Sequence, residues 1–334
     1  MGAPKCGTTA LTQYLSAHPD IFMARKEMHH FGNDLHFGAQ FYRRDAAAYL
    51  AEFQEWQNQA RAGEASVWYL YSKTAAAEIK AFNPDARVII MLREPVDMLH
   101  SLFYQFRFDG NEPLDNFERA LAAEGDRHEG RRIGRQTYLV QGLFYRETIR
   151  FAEQVKRYFD AFGRDRVHIV LYDDLIADVA GVYRRTLEFL EVDARFGPDN
   201  FKAVNNNKFI RNRMLRALFN DRFVRSTILA IRPCLPRPIF SGMQKLDAAL
   251  RGLNSRAAKR PPLSTEFQRQ LRAEFAREVD RLGELLGRDL SHWHHGRRTP
   301  AEPCRPSPSK ACLPEQLLLQ TAADHPVATL KSQT

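Results

Sequence analysis

The sequence predicts an α/β protein: a parallel sheet with helices on both faces. Three observations carry this reading. Short apolar runs suited to buried strands alternate with amphipathic stretches of helical spacing. Residues 87–92, RVIIML, form a short continuous apolar run, the pattern of a strand buried on both faces. A glycine-framed loop at the start of the chain opens directly into a helix, the arrangement that binds anions beside such sheets.

Residues 8–17 read as the first helix, with Leu11, Tyr14 and Leu15 on one face; His18-Pro19 ends it, because the residue before proline avoids the α region. Residues 65–71 (ASVWYLY) read as a strand, as do 87–92 and 167–172 (VHIVLY). An amphipathic helix is expected over 145–160, with Ile149, Ala152, Val155 and Phe159 toward the core. Asp173-Asp174-Leu175 reads as a loop and helix entry, and 181–190 as the next helix. From about 200 to 262, Arg, Asn and Pro interrupt short apolar runs, and irregular helices are expected. Residues 265–287 form a clear helical pattern. Thr265 and Gln268 have capping-box spacing, and Phe267, Leu271, Phe275, Leu282 and Leu286 form the apolar stripe. One domain is expected over residues 1–296. Residues 297–334, rich in Pro, Ser and Ala without periodicity, are expected to be a disordered tail.

Composition narrows the partners. The chain has 334 residues, 44% of them hydrophobic, enough for a sizeable core. No stretch approaches the roughly 18 apolar residues of a membrane span, and, with a loop signature starting at residue 2, no signal peptide is expected. The formal net charge of +9 suits an anionic ligand, but no nucleic-acid reader motif accompanies it. Cys6, Cys234, Cys304 and Cys312 lack the spacing of a metal site or a disulfide framework, so no metal is expected and a reducing cytoplasm fits best.

Gly2-Ala3-Pro4-Lys5-Cys6-Gly7-Thr8-Thr9 has the frame of a nucleotide phosphate loop: two glycines five positions apart, then hydroxyl residues opening a helix. The fold class is therefore P-loop-like. Kinases and ATPases of this type place lysine directly after the second glycine, to reach the β- and γ-phosphates. Here Thr8 stands there and the lysine lies inside the loop as Lys5, which suits a shorter anion. A cysteine phosphatase would need arginine six residues after Cys6, where this chain has Thr12.

Gly2 to Leu11 (GAPKCGTTAL) resembles the 5′-phosphosulfate loop of sulfotransferases that use 3′-phosphoadenosine 5′-phosphosulfate (PAPS), in their bacterial and heparan-sulfate-type branch. The resemblance implies that Lys5 contacts the phosphosulfate and its bridging oxygen. It implies that Gly7, Thr8 and Thr9 hold the 5′-phosphate. The Cys6 side chain is expected to pack the loop, with only its backbone N–H facing the anion. Leu92 to Ser101 (LREPVDMLHS) resembles the family's 3′-phosphate segment, which makes Arg93 and Ser101 the expected contacts. Arginine suits bidentate phosphate contact, and ligands of open parallel sheets bind at the carboxyl ends of strands. For Arg93 alone, the plain alternative is an ion pair with Glu94 or Asp97.

Lys26-Glu27-Met28-His29-His30-Phe31 resembles the family's KEPHFF-type segment, which implies Glu27 as general base and His29 as its helper. Met28 replaces the proline, and His30 replaces the first phenylalanine and competes for the helper role. Gly32 replaces an aspartate that often follows. Gly63-Glu64-Ala65-Ser66 resembles the family's GEKTP turn without its lysine, which argues against a strict heparan sulfate enzyme. Gly142 to Tyr145 and Leu171 to Leu175 (LYDDL) match family landmarks read as structural. Asn205 to Lys208, with Arg211, is a weak binding candidate. The resemblance runs to about residue 293. Because family members carry a buried strand before the loop, a central first strand is expected to be missing from this chain.

The implied function is transfer of a sulfuryl group from PAPS to a hydroxyl or amine, on a saccharide or another small or glycan acceptor. A P-loop kinase or NTPase and a catalytically inactive nucleotide-binding protein are the alternatives.

Overall fold

The computed structural model describes residues 2–37, 45–198, 201, 208–210, 255–257 and 260–296. The central parallel pair is Val88–Leu92 with Val167–Leu171, in register from Val88 opposite Val167 to Leu92 opposite Leu171. Gly2 also bridges Met91 in parallel, and the Ala3 amide donates to the Met91 carbonyl at 2.9 Å. Met91 thus has Val170 on one side and Gly2 on the other. Ile90, Met91 and Leu92 are all buried, so both faces of this strand are covered, as alternating side chains require.

In chain order the elements are α1 (Thr8–Ser16), β1 (Ile21–Met23), α2 (Ala46–Ala51), β2 (Arg61–Gly63), α3 (Ala75–Phe82), β3 (Val88–Leu92), α4 (Pro95–Asp109), α5 (Phe117–Ala122) and α6 (Glu124–His128). Then come α7 (Tyr145–Thr148), α8 (Phe151–Phe162), β4 (Val167–Leu171), α9 (Tyr172–Ala177) and α10 (Val179–Leu190). A short antiparallel pair follows, β5 (Lys208–Ile210) with β6 (Ser255–Ala257), before α11 (Thr265–Leu286) and α12 (His292–His295). The α/β class with parallel strands stands, and α8 packs on both β3 and β4.

Several expectations are corrected. Residues 65–71 are no strand: Val67–Tyr69 is a 3-10 turn with Trp68, Tyr69 and Leu70 buried in succession. A short apolar run does not distinguish a strand from a buried turn. The strand of this region lies earlier, as β2, parallel to β1. The single helix over 145–160 is two, broken at Ile149 and Arg150. The Gln154 side chain donates to the Glu147 carbonyl at 3.0 Å, satisfying a group the break frees. The buried stripe of α8 is Phe151, Val155, Tyr158 and Phe162, while Ala152 and Phe159 are half-buried. On α11 the cap is Ser264, accepting from the Phe267 amide, and the stripe includes Val279. Asp173 to Leu175 lie within α9. The expectations for most of 200–262 and for the tail lie outside the described residues.

The α4–α6 region is tied by a buried ion pair. Arg127 Nη2 donates to both Glu112 carboxylate oxygens at 2.7 and 2.8 Å, with both side chains fully buried. Tyr145 Oη donates to Glu112 at 2.9 Å, and Arg127 Nη1 reaches the Leu143 carbonyl at 3.1 Å. The pair thereby joins the end of α4 to the start of α7. Removing one partner strands the other charge in the core. Arg127→Met is expected to cost about 3–5 kcal/mol in urea unfolding; a loss below about 1 kcal/mol would show that Glu112 finds another partner or takes up a proton without penalty.

Candidate functional site

The phosphate loop turns sharply because two of its residues take the left-handed conformation, Lys5 at φ 67° and Gly7 at φ 92°. At Gly7 a β-carbon would lie 3.1 Å from both Leu175 and Tyr172, so glycine is required for space as well as for φ. Gly7 is the N-cap of α1 and brings no capping side chain. The first amides of α1, at Thr8 and Thr9, therefore face the loop without a helical acceptor, the usual anion-binding arrangement. Thr8 is buried and Thr9 half-buried. Cys6 is fully buried; its Sγ donates to the Pro4 carbonyl at 3.6 Å, and burial pushes the thiol up to about 12. Its side chain packs the loop, as expected.

Lys5 Nζ donates to Gln105 Oε1 at 3.0 Å. Burial lowers its pKa; Asp109 opposes that, while Arg260, Arg93 and Lys26 push the same way as burial. Arg93 leaves the end of β3. Its Nη1 donates to the Lys5 carbonyl at 3.3 Å, and its guanidinium lies 4.6 Å from the Tyr172 ring centroid. The ion pair with Asp97 is long, 3.5 Å, and the buried Nε has no acceptor among the described residues. Glu94 turns away, capping α4 through the Asp97 amide and facing Arg272 at 3.4 Å. Arg93 thus keeps donor capacity for an anion. Ser101 is buried on α4, one turn past Asp97 and on the same helical row.

Arg260 completes the group. Burial lowers its pKa, and Arg93 adds to this while Asp97 opposes it. Burial also lowers His100 to about 4, with Arg260 adding to it. Lys5, Arg93 and Arg260 therefore crowd one half-buried region. Nothing in the sequence around Arg260 pointed to this, because only the fold brings it beside β3.

Around Glu27, β1 and β2 pair in parallel, and the pairing runs on irregularly: Ala24 donates to the Gly63 carbonyl at 2.9 Å and Glu27 to the Ala65 carbonyl at 2.8 Å. Glu27 accepts from the Val67 amide at 3.1 Å and pairs with Lys26. His29 Nε2 lies 3.3 Å from Glu27 Oε2. The His29 ring stacks on Phe37, with centroids 4.4 Å apart, and burial lowers it to about 4 although Glu27 opposes the shift. His30 points elsewhere, stacked on Tyr49 at 4.1 Å. Five non-glycine residues among those described have positive φ, and Lys5, Glu27 and His29 are three of them. Such backbone costs about 1–3 kcal/mol each and clusters at functional sites.

A second network holds this loop. Ser66 Oγ accepts from the His29 amide at 3.0 Å and donates to Glu64 at 2.8 Å. Tyr69 Oη accepts from the His30 amide at 2.8 Å and is hydrogen-bonded to Glu64. Burial raises the Glu64 carboxyl. Lys26 acts on both sides, pairing with Glu27 and pushing down Lys5, so the two halves of the site adjoin. The acidic pair of LYDDL is structural: Asp173 accepts from Trp293 Nε1 at 2.6 Å, and Asp174 pairs with Arg288 at 2.7 Å. Asn205 to Asn207 and Arg211 lie outside the described residues. Among the described residues no cluster of three or more His, Cys, Asp or Glu is arranged for a metal ion.

Comparison with known proteins gives consistent results. The crystal structure of a sulfotransferase from Alicyclobacillus acidocaldarius superposes with a TM-score of 0.63 at 28% identity, covering 88% of this chain and 96% of that one. The mouse heparan sulfate glucosamine 3-O-sulfotransferase 3A1 is 25% identical over 291 residues, 87% of this chain and 62% of that protein. The membrane-associated sulfotransferase kil1 of Dictyostelium discoideum is 28% identical over 132 residues, 38% of this chain and 27% of that protein. Human carbohydrate sulfotransferase 15 is 25% identical over 251 residues, 58% of this chain and 43% of that protein. The chain thus spans between 27% and 62% of the length of these curated relatives. A family model described as the sulfotransferase domain matches residues 1–214, which hold the loop, Arg93 and the Glu27–His29 pair. A match over more than half of the sequence decides the matter: this chain belongs to the sulfotransferase family.

Proposed function

We propose that the chain transfers a sulfuryl group from PAPS to a hydroxyl or amine, with a saccharide as the acceptor class. The observation that carries the reading is the convergence of Lys5, Arg93 and Arg260 around the phosphate loop, beside the Glu27–His29 pair. An orphaned buried Nε on Arg93 and free amides at the start of α1 fit a ligand with separated phosphates. The donor supplies a sulfuryl group on a phosphate leaving group. The acceptor oxygen or nitrogen forms the new bond to sulfur, the bond from sulfur to the bridging oxygen breaks, and its electron pair leaves with the phosphate. Lys5 stabilises the charge that develops on that oxygen. Glu27 takes the acceptor's proton, and neutral His29 orients the carboxylate. Arg93, Ser101 and Arg260 hold the 3′-phosphate.

The saccharide class rests on the relatives, whose names specify heparan sulfate and carbohydrate. Ala65, buried where the heparan-type turn carries lysine, favours an acceptor less anionic than heparan sulfate. A cytoplasmic setting belongs to the same proposal, supported by four cysteines without framework spacing.

A ligand that binds only the native state raises its apparent stability. The desulfated product PAP is therefore expected to raise the melting temperature more than adenosine 5′-phosphate does. Arg93→Ala and Arg260→Ala are each expected to remove about 1.5–3 kcal/mol of PAP binding. Equal thermal shifts for the two nucleotides in the wild type would contradict a 3′-phosphate site.

Glu27→Gln keeps the shape and removes the basicity. Turnover with an identified acceptor is expected to fall roughly a hundredfold or more, with PAP affinity nearly unchanged. His29→Ala should cost less and His30→Ala least; near-normal Glu27→Gln with inactive His30→Ala would assign the base wrongly.

His29 should stay neutral through the physiological range. Its folded value of about 4 lies below the ordinary one, so the unfolded chain binds the proton more readily. Its contribution to stability is present above about pH 6.5 and is lost as pH falls toward the folded value. An imidazole NMR titration of His29 with a midpoint near 6.5 would overturn this.

A further inference from the structure

The lysine of the phosphate loop is held from the far side by α4. Gln105 Oε1 accepts from Lys5 Nζ at 3.0 Å, and Gln105 Nε2 donates to both carboxylate oxygens of Asp109 at 2.9 Å. The two contacts fix the amide's orientation. Its oxygen must face the ammonium and its nitrogen the carboxylate, because either flip would set donor against donor and acceptor against acceptor. Asp97, Ser101, Gln105 and Asp109 form one row at four-residue spacing along α4. Asp97 touches Arg93 and Gln105 touches Lys5, so this row lines the cationic region.

Asp109 is unfavourably placed for the helix itself. It is the last residue of α4, where the helix dipole disfavours an anion. Its charge also acts across the loop, where it raises the pKa of Lys5. Lys5 faces Arg93 at the end of β3, Arg260 ahead of α11 and Lys26 on the acceptor loop, all cations, and Asp109 is the carboxylate that opposes them. Without Asp109, burial and three like charges would all favour a neutral amine.

We propose that Gln105 and Asp109 are positioning residues for Lys5: the amide holds the ammonium beside the phosphate loop, and the carboxylate fixes the orientation of the amide. The role rests on the donor site proposed above. Sulfate binding draws Lys5 Nζ from an uncharged acceptor, which releases it at smaller cost than a carboxylate would. A direct Lys5–Asp109 pair would hold the charge more tightly and compete with the donor.

The test uses the full chain and begins without ligand. The pH dependence of Lys5 acylation, read by mass spectrometry, gives the midpoint of its own titration. Asp109→Asn is expected to lower that midpoint by about one pH unit, and to move the alkaline limb of kcat down by the same amount. Asp109→Glu should restore both in part. Gln105→Leu is expected to lower kcat roughly tenfold through misplacement of the amine and to weaken PAP binding by less than that, since PAP keeps the former bridging oxygen but lacks the sulfate that Lys5 also meets. Both side chains are half-buried, so thermal unfolding of each variant checks that the fold persists. An unmoved Lys5 midpoint in Asp109→Asn, or normal kcat in Gln105→Leu, overturns the proposal. Failure of wild type to bind PAP would sink the donor reading instead, and the acylation midpoint would still judge the pair.

Discussion

The hydrogen bond from the Ala3 amide to the Met91 carbonyl, 2.9 Å long, anchors the site. It seats the phosphate loop on β3, one residue before that strand ends. From there Arg93 reaches the Lys5 carbonyl and lies over Tyr172, which also packs against Gly7. Loop, strand end and the start of α9 are therefore joined by direct contacts. At Gly7, Tyr172 and Leu175 of α9 leave little room for a β-carbon, which suits the glycine found there.

Half-buried cations give this unit its character. Like charges at Lys5, Arg93 and Arg260 oppose one another in a region where water is scarce, and the carboxylates nearby match them only in part. Such an arrangement destabilises the free protein and rewards a bound anion, since desolvated charges interact strongly with an opposite charge. Asp97 and Asp109 limit the cost along α4, one toward Arg93 and one toward Lys5.

The Glu27–His29 loop answers a different constraint. Glu27 and His29 both hold left-handed backbone, which a free loop would relax. The strain persists because Ser66 and Tyr69 take the amides of His29 and His30, and Glu64 binds both hydroxyls. Glu64 thus stiffens the loop from beneath, which explains a buried carboxyl without a cationic partner among its neighbouring bonds. The missing lysine at Ala65 changes what lies beside Glu27 without disturbing the backbone that positions it, since the Ala65 carbonyl still accepts from the Glu27 amide at 2.8 Å.

The sequence by itself determined the local motifs. The spacing of Gly2, Lys5, Gly7 and Thr8, the arginine after an apolar strand, and the segment around Glu27 were legible because each motif is contiguous in the chain. Helices α1 and α11 and strands β3 and β4 were legible from periodicity for the same reason. Only the tertiary structure decided between His29 and His30 as the neighbour of Glu27, because adjacent residues on a loop point by packing, not by spacing: Phe37 draws one ring and Tyr49 the other. It alone brought Arg260 to Arg93, more than 160 residues apart in the chain. It also turned an apolar run at 67–69 into a buried 3-10 turn, since burial on all sides satisfies either conformation and the neighbouring elements choose. The row from Asp97 to Asp109 lay open in the sequence as four-residue spacing, but which way it faced depended on where the phosphate loop came to rest.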